Sequence, residues 1–215
     1  MRRTLTMHVI AGIRIPDSTL TREAHALAAR HSPEFLLRHC ERTYVFGRLA
    51  TAAAGLRVRE ELAYAAALLH DLGLTEHHGG RRRFEVEGAE AAYDWARSSG
   101  LADEEARAIW DAIALHTSMG IADHKSPECA LVHWGAGTDI DGSGLDRLDP
   151  ARVDEVLTAF PRDGFADRMT DTVEAAARRA PTAYALTWLA ETADRYHDTA
   201  LPTSEDMLGR DPFSS

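Results

Sequence analysis

The apolar positions of this 215-residue chain recur three and four residues apart over most of its length, the period of helices with one buried face. After Pro16-Asp17-Ser18, the stretch from Ser18 to about Arg30 predicts a first short helix with Thr19 or Thr21 as its cap. A second helix is predicted from Ser32, an N-cap type followed by Pro33 at the first helical position and Glu34 at the positive end of the dipole, as far as Gly55. Within it Phe35, Leu36, His39, Cys40, Thr43 and Tyr44 share a face, which directs His39 inward. A third helix is predicted from about Arg59 through Leu72, with Glu60 and Glu61 in its first turn and Gly73 past its end. Ala66 and Ala67 precede His70 by one turn and leave room beside its imidazole.

Thr75–Arg83 has neither periodicity nor bulk and reads as a loop. Helix returns from about Val86 to Ser98, before Gly100. Asp103 is the expected cap of Glu104–Thr117, whose inner stripe of Ile109, Ala112, Ile113 and His116 turns a further histidine inward. Glu128–Asp139 is also predicted helical; Gly135 and Gly137 cost it roughly 1 kcal/mol each relative to Ala, and so mark close backbone approach or a helix end. His133 and Trp134 in that helix read as packing. Asp149–Asp198 gives three more helical stretches separated by Pro161, Gly164 and Pro181, and Leu201–Ser215 reads as a polar tail. No repeat or linker demands a second domain, so the expectation is one all-α domain over residues 1–215, with a core at about 32–142 and helices in 150–198 packed on it.

Composition agrees: 45% apolar residues, mostly Ala and Leu, suffice for a helical core. A formal charge of −10 repels polyanions, which sets nucleic acid aside as a partner, and Arg81-Arg82-Arg83 reads as a solvated loop. Two cysteines are too few for a disulfide framework, and no apolar run is long enough to cross a bilayer. A cytoplasmic protein with a small-molecule substrate is expected, and a homo-oligomer is left open. Arg14 interrupts the apolar stretch Met7–Ile15, so the beginning of the chain reads as part of the mature protein. Lys125, the one lysine against 23 arginines, is not read as a catalytic amine.

Four inward-facing helices thus each bring a metal-ligand type near a helix end or a glycine: His39, the pair His70-Asp71, His116 and Asp139. A single buried histidine is ordinarily a hydrogen-bonded core residue. Three imidazoles and two carboxylates buried apart would carry heavy desolvation costs, whereas a shared cation converts the same groups into satisfied ligands.

The order His39, then His70-Asp71 within Leu68-Leu69-His70-Asp71-Leu72-Gly73, then Asp139, with 31 residues before the pair and 68 after it, resembles the HD-domain metal-dependent phosphohydrolase superfamily. His39-Cys40-Glu41-Arg42-Thr43-Tyr44-Val45-Phe46, Arg83-Phe84-Glu85-Val86-Glu87-Gly88-Ala89 and Ile113-Ala114-Leu115-His116-Thr117-Ser118 look most like its cyanamide hydratase-like branch. The resemblance covers roughly Ile15–Gly142 and implies an all-α bundle around one divalent ion held by His39, His70, Asp71 and Asp139. Asp141, in an apparent Asp-Gly turn, competes with Asp139 for the last position. The stretch before Gly88-Ala89 lacks the histidine that dinuclear relatives use; His77 and His78 would replace it only if their loop folded back.

Nitrogen and oxygen donors without thiolate suit Zn, with Fe, Mn and Ni as alternatives. The leading expectation is metal-assisted addition of water to a small nitrile-like substrate, as in cyanamide to urea. His116 would be the proton shuttle, Glu85 a second acid/base, Arg42 an orienting residue, and Thr117 and Ser118 pocket residues. The alternative is a phosphohydrolase acting on a nucleotide or phosphate monoester, for which Arg42, Arg81–Arg83 and Lys125 would have to offset substrate charge. A non-catalytic ligand sensor with a structural metal is the third reading.

Overall fold

The computed structural model describes residues 9–208. The expected mature start at Met1 and the end of the polar tail lie outside the described residues. A two-stranded antiparallel ribbon, β1 (Val9–Ile10) and β2 (Ile13–Arg14), leads into an otherwise helical chain. The main helices are α1 (Thr19–His31), α2 (Glu34–Ala53), α3 (Glu60–Leu69), α4 (Phe84–Ser98) and α5 (Asp103–Ala114). They are followed by α6 (Ala122–Lys125), α7 (Pro127–Asp141), α8 (Pro150–Ala159), α9 (Phe165–Arg179), α10 (Ala190–Asp194) and α11 (Ser204–Leu208). The protein is all-α apart from that ribbon, and among the described residues no helix is long and apolar enough to span a membrane.

Several boundaries differ from expectation, each for a local reason. Ser18 itself caps α1: its hydroxyl accepts from the Thr21 N–H at 3.3 Å while Thr21 Oγ1 accepts from the Ser18 N–H at 2.9 Å. Ser32 closes α1 instead, its N–H donating to the Ala28 carbonyl at 2.8 Å, and Pro33 takes the cap position of α2. The third helix stops at Leu69 rather than Leu72. Asp71 leaves helical geometry at φ −103° and ψ 12°, and Leu72–Leu74 forms a 3₁₀ turn. Asp103 lies inside α5, where the Ala102 N–H is capped by the Glu105 carboxylate at 2.9 Å. That helix ends at Ala114, which leaves His116 and Thr117 just past its end.

Two pairs of glycines set how closely the central elements approach. α2 crosses α7 at Gly47 and Gly135: a Cβ on Gly135 would stand 2.0 Å from the Thr43 carbonyl oxygen, and one on Gly47 would stand 2.2 Å from that of Leu131. Gly73, after the His-Asp pair, meets α4 in the same way, 2.0 Å from the Phe84 carbonyl oxygen, with Gly88 against it. Residues 62–69 of α3 are buried along their whole length among α1, α2, α5 and α7. A second apolar cluster joins Leu36, Leu74 and Phe84 to Phe165, Met169 and Tyr184, so the C-terminal elements close over the end of the bundle where the predicted site residues lie.

Candidate metal centre

His39 lies in the second turn of α2, and His70 and Asp71 sit where α3 unwinds beside it. One ligand atom from each of these three buried residues lies within 4.8 Å of the other two. His39 Nε2 is 3.2 Å from His70 Nε2 and 3.5 Å from Asp71 Oδ2; His70 Nε2 is 3.4 Å from the same oxygen. His116 approaches from the other side, its Nε2 3.8 Å from Asp71 Oδ1.

The outer nitrogens of the rings fix their tautomers. His70 Nδ1 lies 2.8 Å from the Ala67 carbonyl, and His116 Nδ1 2.6 Å from that of Ile113. A carbonyl only accepts, so each ring donates from Nδ1 and keeps a bare lone pair on Nε2. His39 Nδ1 likewise donates to Asp139 Oδ2 at 2.6 Å, so the Nδ1–H tautomer, the form a metal ligand takes, has its Nε2 lone pair towards His70. Two such lone pairs facing each other at 3.2 Å repel, and they become favourable only around a shared cation. Burial, and then the neighbouring His39, pushes His70 down to about 3; burial, and then the neighbouring His70, pushes His116 down to about 4, so both rings stay neutral. Burial pushes the Asp71 carboxyl up, against the pull of His39 and His116. Imidazole Nε2 donors backed by carbonyl or carboxylate at Nδ1, plus a carboxylate, are the donor set of a divalent metal site.

Asp139 departs from its predicted place. Its Oδ2 accepts from His39 Nδ1 and, at 2.8 Å, from Arg42 Nη2, while Oδ1 accepts from Arg42 Nε at 2.8 Å and Arg162 Nη1 at 2.5 Å. Both oxygens are therefore engaged behind the His39 ring, and in this arrangement Asp139 orients the imidazole while the close group consists of His39, His70 and Asp71. The competitor Asp141 lies outside the close group: its exposed carboxylate accepts from the Ser143 N–H at 2.8 Å. Burial pushes the Asp139 carboxyl up, but His39 and Arg42 hold it far below the usual carboxylate range.

The other predicted residues divide. Arg42 is fully buried and spends its remaining nitrogen on the Phe160 and Pro161 carbonyls, so it positions Asp139 and does not reach substrate. Glu85 is buried behind the site, accepting from Thr117 Oγ1 at 2.6 Å and from Arg83 Nη2 at 2.6 Å. Burial pushes its carboxyl up, but Arg83, His116 and Thr117 bring it below the ordinary value, so it remains an anion beside His116. Thr117 lines the cleft over the site; Ser118 does not, and its N–H closes a turn onto Leu115. His133 and Trp134, expected as packing, both face the cleft, and His133 Nδ1 donates to the His116 carbonyl at 2.7 Å.

Sequence reasoning missed two contributors. Arg162, in the α8–α9 connection, completes the Asp139 pairing, and Phe165 of α9 stacks on the His39 ring at 5.1 Å between Arg42 and Arg162. Neither residue carries a signal of its own in the sequence. The cleft that ends on His39, His70, Asp71 and His116 measures about 960 Å³, and α9, α10 and Trp188 wall it with largely apolar groups.

The family model described as HD domain matches residues 36–153, more than half of the chain. The chain belongs to the HD domain family. That family consists mostly of metal-dependent hydrolases, and in this HD domain the buried group His39, His70 and Asp71 is fit to hold a divalent ion. Comparison with curated proteins finds no match.

Proposed function

We propose that this HD domain adds water to the electrophilic carbon of a neutral nitrile-like or amide-like substrate, with conversion of cyanamide to urea as the simplest case. One observation carries the choice: apart from Arg81, each cation that the sequence offers to a phosphate substrate is paired with a carboxylate. Arg42 is committed to Asp139, Arg82 to Glu87, Arg83 to Glu85 and Lys125 to Asp111. The floor of the cleft thus offers bare nitrogens and one carboxylate under apolar walls, an environment that favours a neutral ligand.

A divalent ion, zinc by preference for this donor set, would be held by His39, His70 and Asp71 and would supply a water whose pKa falls from 15.7 towards about 7. His39 and His70 are oriented for this by Asp139 and by the Ala67 carbonyl. His116 Nε2, neutral and facing the same point, takes the proton of the attacking water and returns it to the substrate nitrogen. The Glu85 and Asp71 carboxylates favour that transient positive charge. Thr117, pinned to Glu85, presents its outer face to the substrate. The volume of the cleft leaves space for substituents larger than the amine of cyanamide.

The test is a parallel assay of metal-loaded protein against cyanamide, substituted nitriles, amides and phosphate monoesters. Urea or ammonia release with no phosphate release is expected. The reverse pattern would establish the second reading, a phosphohydrolase, which the presence of Arg147 and Arg195 on the cleft wall favours.

A further inference from the structure

Three histidines outside the HD centre meet at the surface, at the end of α1 and the start of the loop after the His-Asp motif. His31 is the last residue of α1; His77 and His78 come from the turn that follows Thr75. The turn is built to bring them there: the Gly79 N–H returns to the Thr75 carbonyl at 2.8 Å, and the His78 N–H reaches Thr75 Oγ1 at 3.4 Å. Ring centroids lie 4.3 Å apart for His31 and His77, 4.8 Å for His31 and His78, and 4.6 Å for His77 and His78. One ring nitrogen from each lies within 4.8 Å of the others, and His78 Nε2 is buried without a hydrogen-bond partner.

Three polar rings clustered this way have little to gain from one another. A buried, unpartnered imidazole nitrogen carries a desolvation cost that burial in contact with two more imidazoles does not relieve. Burial, then the charges of His31 and His77, keep His78 below its ordinary pKa, which favours the neutral ring that can act as a ligand.

We propose that His31, His77 and His78 form a second, surface metal site that takes a borderline divalent transition cation such as Zn²⁺, Ni²⁺ or Cu²⁺, with water in the remaining position. Three imidazoles and no carboxylate select these ions over Mg²⁺ and Ca²⁺, which require oxygen donors. Bonds of about 2.0–2.1 Å to each nitrogen in tetrahedral geometry bring the nitrogens to about 3.3 Å of one another, a closure within reach of side-chain rotation. The ion would tie α1 to the segment running from the His-Asp motif to Arg83, which holds Glu85. The site is separate from the central one: the ligand-type atoms of His31, His77 and His78 form a group distinct from that of His39, His70 and Asp71.

The experiment is a calorimetric titration of untagged, metal-stripped full-length protein with Zn²⁺, repeated with Co²⁺ to read ligand-field absorption. The wild-type chain is expected to bind two equivalents, H77N/H78N one, and the central-site variant H39N/D71N one. H31Q, a single surface change, serves as the second variant and is expected to weaken the second equivalent by tenfold or more. Loss of the equivalent assigned to the HD centre, with the other retained, would count against the proposed function and not against this site. A wild-type chain that binds no more than H77N/H78N, or a Co²⁺ spectrum unchanged by H31Q and H77N/H78N, overturns the proposal.

Discussion

Gly135→Ala tests whether the α2–α7 crossing is what assembles the centre. The new methyl would lie 2.0 Å from the Thr43 carbonyl oxygen and 2.9 Å from the Gly47 nitrogen, both backbone atoms that cannot rotate away. Reaching the 3.0 Å below which real Cβ contacts are essentially never seen requires the helices to part by about 1 Å. Overpacking against backbone falls at the upper end of its usual range, about 3 kcal/mol, and the better helix propensity of Ala returns about 1 kcal/mol, for a net loss of about 2 kcal/mol. In a chain of this length that lowers the melting temperature by roughly 4–8 °C. The same separation would stretch the 2.6 Å contact between His39, on α2, and Asp139, on α7, so metal affinity should fall as well. Gly137→Ala is the internal control. Its methyl would meet nothing closer than the Ser143 Cβ at 3.5 Å, so the propensity gain of about 1 kcal/mol should raise the melting temperature by roughly 2–4 °C. Thermal melts followed by circular dichroism, with zinc titrations alongside, decide the matter. A Gly135→Ala protein that melts at or above the wild type, or a Gly137→Ala protein that falls with it, would refute the close-crossing argument.

Further outcomes follow from the same geometry. Asp139→Asn keeps the shape but weakens the charge-assisted bond to His39 Nδ1 and leaves the buried Arg42 short of its counter-charge; metal affinity should drop about 10–100-fold by competition with a chromophoric chelator, together with a loss of stability. His116→Gln should hold its metal and its melting temperature to within a few degrees while losing roughly 10²–10⁴-fold in kcat, and an unchanged kcat would remove His116 from proton transfer. Glu128, buried at the start of α7, accepts from the Arg59 backbone N–H at 2.9 Å and from its guanidinium; burial raises its carboxyl, but Arg59 brings the net value below the ordinary 4.5. Its stabilising contribution is thus present above pH 4.5 and is lost as pH falls through the lower folded value, so Glu128→Gln should destabilise by about 1–2 kcal/mol near neutrality and less as the solution is acidified, in urea melts at several pH values.

Much of the helical frame is legible in the sequence, because caps, prolines and apolar spacing act within a few residues of one another. Gly100 follows α4, and His39, His70 and His116 face inward, all on local information. The His-Asp pair with its flanking residues is likewise a local pattern. Where each carboxylate ends up is not local. Asp139 and Asp141 lie on one helix, and whether either meets an ion or the rear of His39 depends on the ångström-scale approach of α2 to α7 at Gly47 and Gly135, and on Arg162 arriving from a distant connection. Cation availability has the same origin: the sequence leaves open whether Arg42, Arg83 and Lys125 offset substrate charge or pair within the protein, and folding pairs each with a carboxylate. The meeting of His31 with His77 and His78, and the cleft beneath Trp188, are products of chain return over 45 residues and more, for which no short-range signal exists. Short-range backbone preference and side-chain periodicity are encoded residue by residue, whereas the partner of a charged group is chosen only when the elements pack, since desolvation and Coulomb attraction act through space and not along the chain.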